Sequence, residues 1–388
     1  ASVNTFFTKT LRSGFLNQGN FVSLSPRYYW VRGIEARASQ GVNLGATHHE
    51  IGIGYRYIDE ASHELRYRES TASGQLPTVS SRNDRDTRGK TEAHAVYLDD
   101  RIDWGLWTIT PGVRYERIDQ QQINVLTGRP FKGDYSTALP ALNVLYRLDE
   151  GWNLYANTEG SFGSVQYSQM PNRVRQGLVK PEKARTWEFG TRYEQGVLRA
   201  EIGAFLINFN NQYDSSQITD SVIARGKTRH AGIESSFGYR LDELMPALKG
   251  TEVYGNYAYV DASIREEGPN KGNQVPFSSK HKGLLGISYT QDAWQAGFEG
   301  EFLSSQYADN ANTVAESADG STGRIPGYGT WNLRGSYDFG PSLHHLKIGA
   351  GIKNIFGREF YTRSYDDNNK GKYLGQPRTV YVQASIRF

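Results

Sequence analysis

The sequence predicts an all-β fold, a transmembrane antiparallel β-barrel of the outer-membrane type. Three observations favour this class: apolar residues recur at every second position, short turns alternate with long polar loops, and aromatic residues gather beside the short turns. A barrel strand needs an apolar residue only at alternate positions, so such a chain can be hydrophilic on average, as this one is. No run of about 20 apolar residues predicts a membrane-spanning helix.

Alternation of apolar and polar residues is clearest in three segments, 198–206, 346–353 and 379–388. Because successive side chains of a strand point to opposite faces, each segment has one apolar face and one polar face. The polar faces repeatedly carry charged residues, and the segments are long for strands of a soluble sandwich. A wet interior and a lipid exterior account for both features.

Turn-forming residues divide the sequence into segments whose connections alternate in length. The short connections predict tight turns at 103–105, 149–151, 194–196, 291–293 and 339–341. The long connections are polar and cover roughly 63–88, 161–183, 303–328 and 358–376. Short turns at one end and long loops at the other are typical of bacterial outer-membrane barrels. These divisions predict about sixteen strands, with both ends of the chain on the short-turn side.

Large aromatic residues cluster beside the predicted short turns. They are Trp104, Trp107, Trp152, Tyr193, Tyr289, Trp294, Tyr337 and Phe339. Amphipathic rings favour the level of the lipid headgroups, so the cluster predicts an aromatic girdle at the periplasmic boundary of the membrane. Ordinary strand aromatics are the alternative, and the repetition at turn after turn favours the girdle.

Composition and local motifs exclude several classes of function. The chain has no Cys, which removes disulfide scaffolds and thiolate metal sites, and its net charge of +3 provides no basic field for nucleic acid. The histidine pairs 48–49 and 344–345 lack a metal-ligand spacing. Residues 366–371 resemble the start of a calcium loop, but Lys370 occupies a ligand position and Pro377 stands where the bidentate glutamate should be. No nucleophile elbow is present. We therefore expect no enzyme activity, no cofactor and no resident metal. The first five residues lack the features of a signal peptide.

Several segments carry a resemblance to a known family. Residues 353–360, Lys-Asn-Ile-Phe-Gly-Arg-Glu-Phe, resemble the "KNIF" hairpin of TonB-dependent outer-membrane receptors, and 180–183 followed by 187–190 resemble the same family. Further segments look like the ferric citrate receptors within it. They are 10–14, 24–27, 29–35, 84–88, 209–214, 308–314, 320–327 and 364–371.

The resemblance carries implications for the domain organisation and the partners. Receptors of this family have an N-terminal plug domain and a barrel of about 22 strands. Residues 1–388 then correspond to one barrel domain, N-terminally truncated, that lacks the plug and the first strands. The implied partners are the TonB complex, reached through the plug, and the lipid and lipopolysaccharide of the outer membrane. A monomer is expected.

The resemblance also implies a set of ligand-binding residues. Arg12, Arg27 and Arg85 align with arginines that contact citrate in the family, and Gln217 and Asn368 align with its amide contacts. An arginine suits this chemistry because its planar fork matches a carboxylate with two parallel hydrogen bonds. Arg82 and Arg88 flank Arg85 and offer alternative registers in that segment.

The function that follows is binding and import of ferric citrate, iron being carried as the citrate chelate. Two alternatives remain at this stage: a receptor for a different ferric chelate or siderophore, and a passive porin-like channel. A neutral or cationic chelate would favour aromatic loops over three arginines, and a diffusion pore needs no receptor-type loops. A surface-exposed adhesion or phage-docking barrel is a further class that is compatible with transport.

Overall fold

The computed structural model describes residues 1–18, 20–165, 167, 181–213, 224–364 and 371–387. In this part of the chain sixteen strands have seven or more residues, which matches the number predicted from the sequence. They are β1 (Ser2–Arg12), β4 (Arg27–Leu44), β5 (Thr47–Ser70), β6 (Arg82–Trp104), β7 (Trp107–Asn124), β8 (Arg129–Asp149), β9 (Trp152–Gly163), β10 (Glu182–Gln195), β11 (Leu198–Tyr213), β12 (Ala224–Arg240), β13 (Thr251–Ile264), β14 (His281–Gln291), β15 (Trp294–Leu303), β18 (Tyr328–Asp338), β19 (Lys347–Lys353) and β22 (Thr379–Ser385).

The remaining elements are short and lie in the connections. The strands are β2 (Phe15–Gln18), β3 (Phe21–Leu24), β16 (Gln306–Tyr307), β17 (Arg324–Ile325), β20 (Tyr361–Ser364) and β21 (Lys372–Leu374). Single 3₁₀ turns occur at Thr71–Ser73, Leu241–Glu243, Pro246–Leu248 and Pro341–Leu343. Within the described ranges no helix has the length and apolarity needed to cross a membrane.

The first compact unit comprises Ala1–Val144, Thr158–Ala184 and Tyr213–Ala224. Its strands pair antiparallel in the order β1–β4–β5–β6–β7. The β2–β3 hairpin continues the ladder beyond β4, since Phe21 pairs with Ser70 at the far end of β5. The turn between β6 and β7 needs a residue in the left-handed region, and Gly105 occupies it with φ 56°.

The second compact unit comprises Leu145–Asn157, Arg185–Gln212 and Arg225–Phe388. Consecutive long strands again pair antiparallel, in the order β12–β13–β14–β15–β18–β19–β22. The loops β13–β14 and β15–β18 are fastened to each other by Asn312, whose side chain accepts from the backbone of Gln274 at 2.7 Å and donates back to its carbonyl at 2.8 Å. Val275 and Ile325, one from each loop, are buried, as is Ala262 of β13.

Each long strand exposes its apolar side chains on one face, which we call the apolar face. In the first unit Ile53, Leu98 and Val113 lie in one row across β5, β6 and β7 and are 44–55% exposed. In the second unit Val382 of β22 is 74% exposed. Soluble monomers rarely expose such a continuous apolar surface, which is typical of a surface that contacts a membrane or another protein.

The height of the apolar band can be estimated from β5. It begins beside the turn aromatics Trp104 and Trp107 and ends near Tyr57, because the next row carries Arg32 and Asp59. Residues 47–57 span roughly 33 Å along the strand, and a tilt of about 40° reduces this to on the order of 25 Å. That is the height of the lipid-facing band of an outer-membrane barrel.

The opposite face, which we call the polar face, owes much of its packing to glycine–aromatic pairs across neighbouring strands. Tyr97 lies over Gly54, Tyr254 over Gly286 and Tyr381 over Gly351. A Cβ added at Gly286 would lie 2.5 Å from Tyr254 Cζ. Such a ring covers the backbone that glycine leaves bare, so the pairs explain why 42 Gly and 25 Tyr occur together.

One loop boundary predicted from the sequence is wrong. Residues 63–88 were expected to form a long loop, yet β5 continues to Ser70 and β6 starts at Arg82. The segment is rich in charged residues, and these pair across the two strands instead of facing water separately: Arg66 Nε donates to Asp84 Oδ1 at 2.6 Å. The strands therefore extend well beyond the apolar band.

The glycine–aromatic pairs predict an asymmetry between two glycines of β14. Gly286→Ala should destabilise the folded protein by about 1–3 kcal/mol, because its Cβ would overlap the Tyr254 ring. Gly283→Ala is the matched control, since its nearest neighbours are 3.7 Å away. Urea unfolding in detergent, followed by tryptophan fluorescence, measures both. Equal stabilities of the two variants would contradict this account of the pairs.

Candidate functional site

Two of the predicted arginines face each other where β1 ends and β4 begins. Arg12 is directly opposite Arg27 in the ladder, so both lie on the polar face. The β2–β3 hairpin connects them, and its base is closed by a hydrogen bond from Ser25 N to the Gly14 carbonyl at 3.2 Å. Both side chains are exposed.

The next strand contributes a carboxylate between the arginines. Glu64 of β5 is directly opposite Arg27 and only 12% of its side chain is exposed. Its Oε1 accepts a hydrogen bond from Tyr29 Oη at 3.1 Å, and its Oε2 lies 3.7 Å from Arg85 Nη1. Four strands, counting β6, thus bring three arginines, a tyrosine and a glutamate together; we call this set the arginine cluster.

A second ion-pair network borders the arginine cluster. Asp84 Oδ1 accepts from Arg66 Nε at 2.6 Å, and Asp84 Oδ2 lies 2.8 Å from Arg68 Nη1. The Arg68 guanidinium also covers the ring of Phe21 in the β2–β3 hairpin, 5.7 Å from its centroid. These contacts tie the hairpin to the extended ends of β5 and β6 and so fix the rim on which the arginines stand.

The structure decides between the alternative arginines near residue 85. Arg88 is opposite His63, on the apolar face, so it cannot join the cluster. Arg82 begins β6 opposite Arg68, farther out along the strand. Arg85 is the member that meets Glu64. It lies within β6, whereas the sequence predicted a loop over 63–88.

Of the predicted site residues, Gln217 and Asn368 lie outside the described residues.

Burial shifts the acidities of two groups on this face, both above the apolar band. Burial raises the pKa of the Tyr29 phenol, and the negative charge of Glu64 raises it further. Burial also raises the pKa of the Glu60 carboxyl, while the Arg56 guanidinium lowers it. Tyr29 therefore stays protonated and donates its hydrogen bond to Glu64. The Glu60 carboxyl, on the same face below the arginine cluster, is harder to ionise than an ordinary glutamate.

The wall one row below the arginine cluster is covered by part of the connection after β9. Tyr167 fits over Gly89, and its hydroxyl hydrogen-bonds Thr91 Oγ1 at 2.5 Å. Gln120 donates to the same threonine at 3.2 Å. Val165 is buried beside Phe131 and Tyr135. Tyr167 therefore lies on the polar face, one row below the arginine cluster.

The second unit has a different, acidic group on its polar face. Tyr155 Oη donates to Glu201 Oε1 at 3.0 Å, and Asn157 Nδ2 donates to Glu188 Oε2 at 2.9 Å. Glu234 lines the same cavity, whose volume is about 370 Å³. Its charge does not suit an anion, so an anionic ligand is better served by the arginine cluster of the first unit.

Sequence reasoning missed Tyr29 and Glu64. The available signal was the spacing of residues along each strand, because residues two positions apart share a face. Arg27 and Tyr29 therefore share a face of β4, and Glu64 and Arg66 share a face of β5. No group of three or more His, Asp or Glu with the proximity to hold a metal occurs among the described residues. The arrangement suits recognition of carboxylates by guanidinium groups.

Comparison with known proteins identifies the family. Residues 2–355 match the family described as "TonB dependent receptor-like, beta-barrel". The chain belongs to this family. Members of the family are transport receptors of the outer membrane, so the receptor belongs to that membrane, and the all-β barrel class predicted from the sequence is confirmed.

Solved structures and curated relatives agree with this assignment. The unliganded ferric citrate transporter FecA is 59% identical to the receptor, with a TM-score of 0.90, over 100% of this chain and 58% of that one. The metal-pseudopaline receptor of Pseudomonas aeruginosa is 24% identical over 89% of this chain and 50% of its own length. The siderophore receptor PiuA of Acinetobacter baumannii, at 16% identity and TM-score 0.78, shares the fold. The chain therefore spans about half the length of these relatives.

The raised pKa of Glu60 predicts a pH-dependent stability difference. Below the ordinary pKa of a glutamate the folded and unfolded carboxyls are both protonated, so Glu60→Gln should match the natural protein at about pH 4. As the pH rises through the raised pKa, ionisation of the half-buried carboxyl costs stability, and the variant should become the more stable of the two at about pH 8. Urea unfolding across this range tests the sign, and a difference that is constant or reversed would contradict it.

Proposed function

We propose that the receptor binds and imports ferric citrate, and that Arg12, Arg27, Arg85, Gln217 and Asn368 contact this ligand. The observation that carries the proposal is the convergence of three arginines from three strands on one face of the sheet, beyond the apolar band. The similarity to the ferric citrate transporter FecA, at 59% identity, also supports the proposal.

The charges of the cluster suit an anionic chelate. Asp84 pairs with Arg66 and Arg68, and Glu64 with Arg85. Among the described residues Arg12 and Arg27 form no ion pair with a carboxylate. Two guanidinium groups facing each other can therefore take ligand carboxylates in charge-assisted hydrogen bonds, each contributing about 1.5–3 kcal/mol before ordering costs.

The chelate form of the cargo explains why the protein needs no iron ligand of its own. Citrate supplies carboxylate and hydroxyl oxygens to the iron, and the protein recognises the outer oxygens of the complex. The amide side chains of Gln217 and Asn368 would donate to such oxygens beside the arginines. Iron is thus cargo and not a resident cofactor.

Transport requires partners that belong to the whole protein. We propose that energy reaches the receptor from the TonB complex through a plug domain, that the apolar face contacts lipid and lipopolysaccharide, and that the receptor acts as a monomer. The apolar band of on the order of 25 Å supports the lipid contact, because it matches the hydrocarbon thickness that outer-membrane barrels span.

Substitution of the cluster arginines tests the ligand. In the full-length natural protein, Arg27→Ala or Arg85→Ala should raise the Kd for ferric citrate about tenfold or more, because each removes a charge-assisted hydrogen bond. Arg32→Ala is the matched control: Arg32 lies on the same strand as Arg27 but on the apolar face, paired with Asp59. Tryptophan-fluorescence titration provides the affinities.

Each outcome of this titration assigns the function differently. Saturable quenching by ferric citrate that is weakened in the cluster variants and unchanged in Arg32→Ala supports the proposal. Saturation by an unrelated ferric siderophore instead would make the receptor specific for another chelate. An unaltered affinity in both cluster variants would rule out this site, and no saturable response to any chelate would favour a passive pore.

A further inference from the structure

Glu64 is an unexpected residue in a site for an anion. It is the one carboxylate among the described residues that lies between Arg27 and Arg85, and it is almost fully buried. A buried carboxylate repels an incoming carboxylate, and juxtaposed like charges in an interface cost several kcal/mol. A cluster built only for tight binding of anions would not contain it.

We propose that Glu64 is a specificity-determining residue that favours the iron-loaded chelate over metal-free citrate; this rests on the function proposed above. Metal-free citrate carries its full negative charge at neutral pH, and each carboxylate feels the repulsion of Glu64. In the chelate the charge of Fe³⁺ offsets that of the coordinated carboxylates. Glu64 therefore weakens the binding of the metal-free citrate anion more than the binding of the chelate.

The geometry favours this electrostatic effect on the ligand over the other role that Glu64 could have, which is to hold the Arg85 side chain in position. Its Oε2 lies 3.7 Å from Arg85 Nη1, which is an ion pair but too long for a hydrogen bond. Among the described residues, its direct hydrogen bond comes from Tyr29 Oη, at 3.1 Å. A glutamine amide oxygen can accept that same hydrogen bond, so Glu64→Gln removes the charge while keeping the shape and the Tyr29 contact.

The position of Glu64 in the ladder makes the effect local. Thr87 is directly opposite it on β6 and Ser62 precedes it on the same face of β5, and both are uncharged, while Arg66, which follows it on that face, is paired with Asp84. The next carboxylate on the same face of that strand is Glu60, one further position away and facing Arg56. Glu60 shares strand, face and chemistry with Glu64 but not the contact with the cluster.

The test compares two ligands in full-length protein and three variants. The natural protein should bind ferric citrate saturably and more tightly than metal-free citrate. Glu64→Gln should tighten metal-free citrate about tenfold and ferric citrate by a smaller factor, so the preference for the iron-loaded form falls. Glu60→Gln should leave the preference unchanged.

A third variant separates charge from shape. Glu64→Asp keeps the negative charge while withdrawing it from Tyr29, and it should retain most of the preference for the iron-loaded form. Circular dichroism and the gel shift between unheated and heated samples confirm that each variant is folded.

Three results would overturn the inference about Glu64. They are an unchanged preference in Glu64→Gln, a fall in both affinities in that variant, which would make Glu64 a positioning residue for Arg85, and a loss of preference in Glu64→Asp equal to that in Glu64→Gln. A natural protein without saturable ferric citrate binding would instead reject the proposed cargo, so the two failures are distinguishable.

Discussion

The pairing of backbone amides in hydrocarbon is the constraint on which the rest of this receptor depends. No water reaches peptide groups inside a bilayer, and an unpaired group there costs several kcal/mol, so the chain crosses in antiparallel strands that hydrogen-bond to their neighbours. Once the ladder is set, side chains alternate strictly between two faces. Ile53 and Leu98 fall on one face, while Glu64 and Arg85 fall on the other. The separation of the apolar face from the face that carries the arginine cluster follows from this geometry.

The ladder continues beyond the apolar band, and that extension creates the arginine cluster. Charged residues at the ends of β5 and β6 hold the two strands together through Asp84 with Arg66 and Arg68. The same extension carries Glu64 and Arg85 to the level of Arg12 and Arg27, which would otherwise stand alone at the ends of their strands. The ion pairs therefore support the arginine cluster from the side, while the positive charge of the cluster comes from arginines on three of four adjacent strands, β1, β4 and β6.

Alternation of residue types was enough to predict the fold class and the number of long strands. It was not enough to place 63–88, because a run of charged residues has the composition of a loop whether or not its members pair across strands. Register was also out of reach: that Arg12 faces Arg27, and that Glu64 lies beside them, depends on pairing between segments distant in sequence. Parity alone could have excluded Arg88 as a partner of Arg85, since an odd spacing of three positions puts the two on opposite faces of β6. Gln217 and Asn368 stay predictions.

The glycine–aromatic pairs have a consequence for how this sequence can evolve. A ring such as Tyr254 or Tyr97 fits only where its cross-strand neighbour has no side chain, so neither partner can change alone. Such positions should co-vary: when the glycine acquires a side chain, the ring opposite should be replaced by a small residue. The pairs also favour one strand register, because a shift of one strand by a single residue would separate each ring from its glycine and turn the apolar residues of that strand to the polar face. The glycine and tyrosine residues of these pairs thus favour one alignment of neighbouring strands, in addition to their contribution to packing.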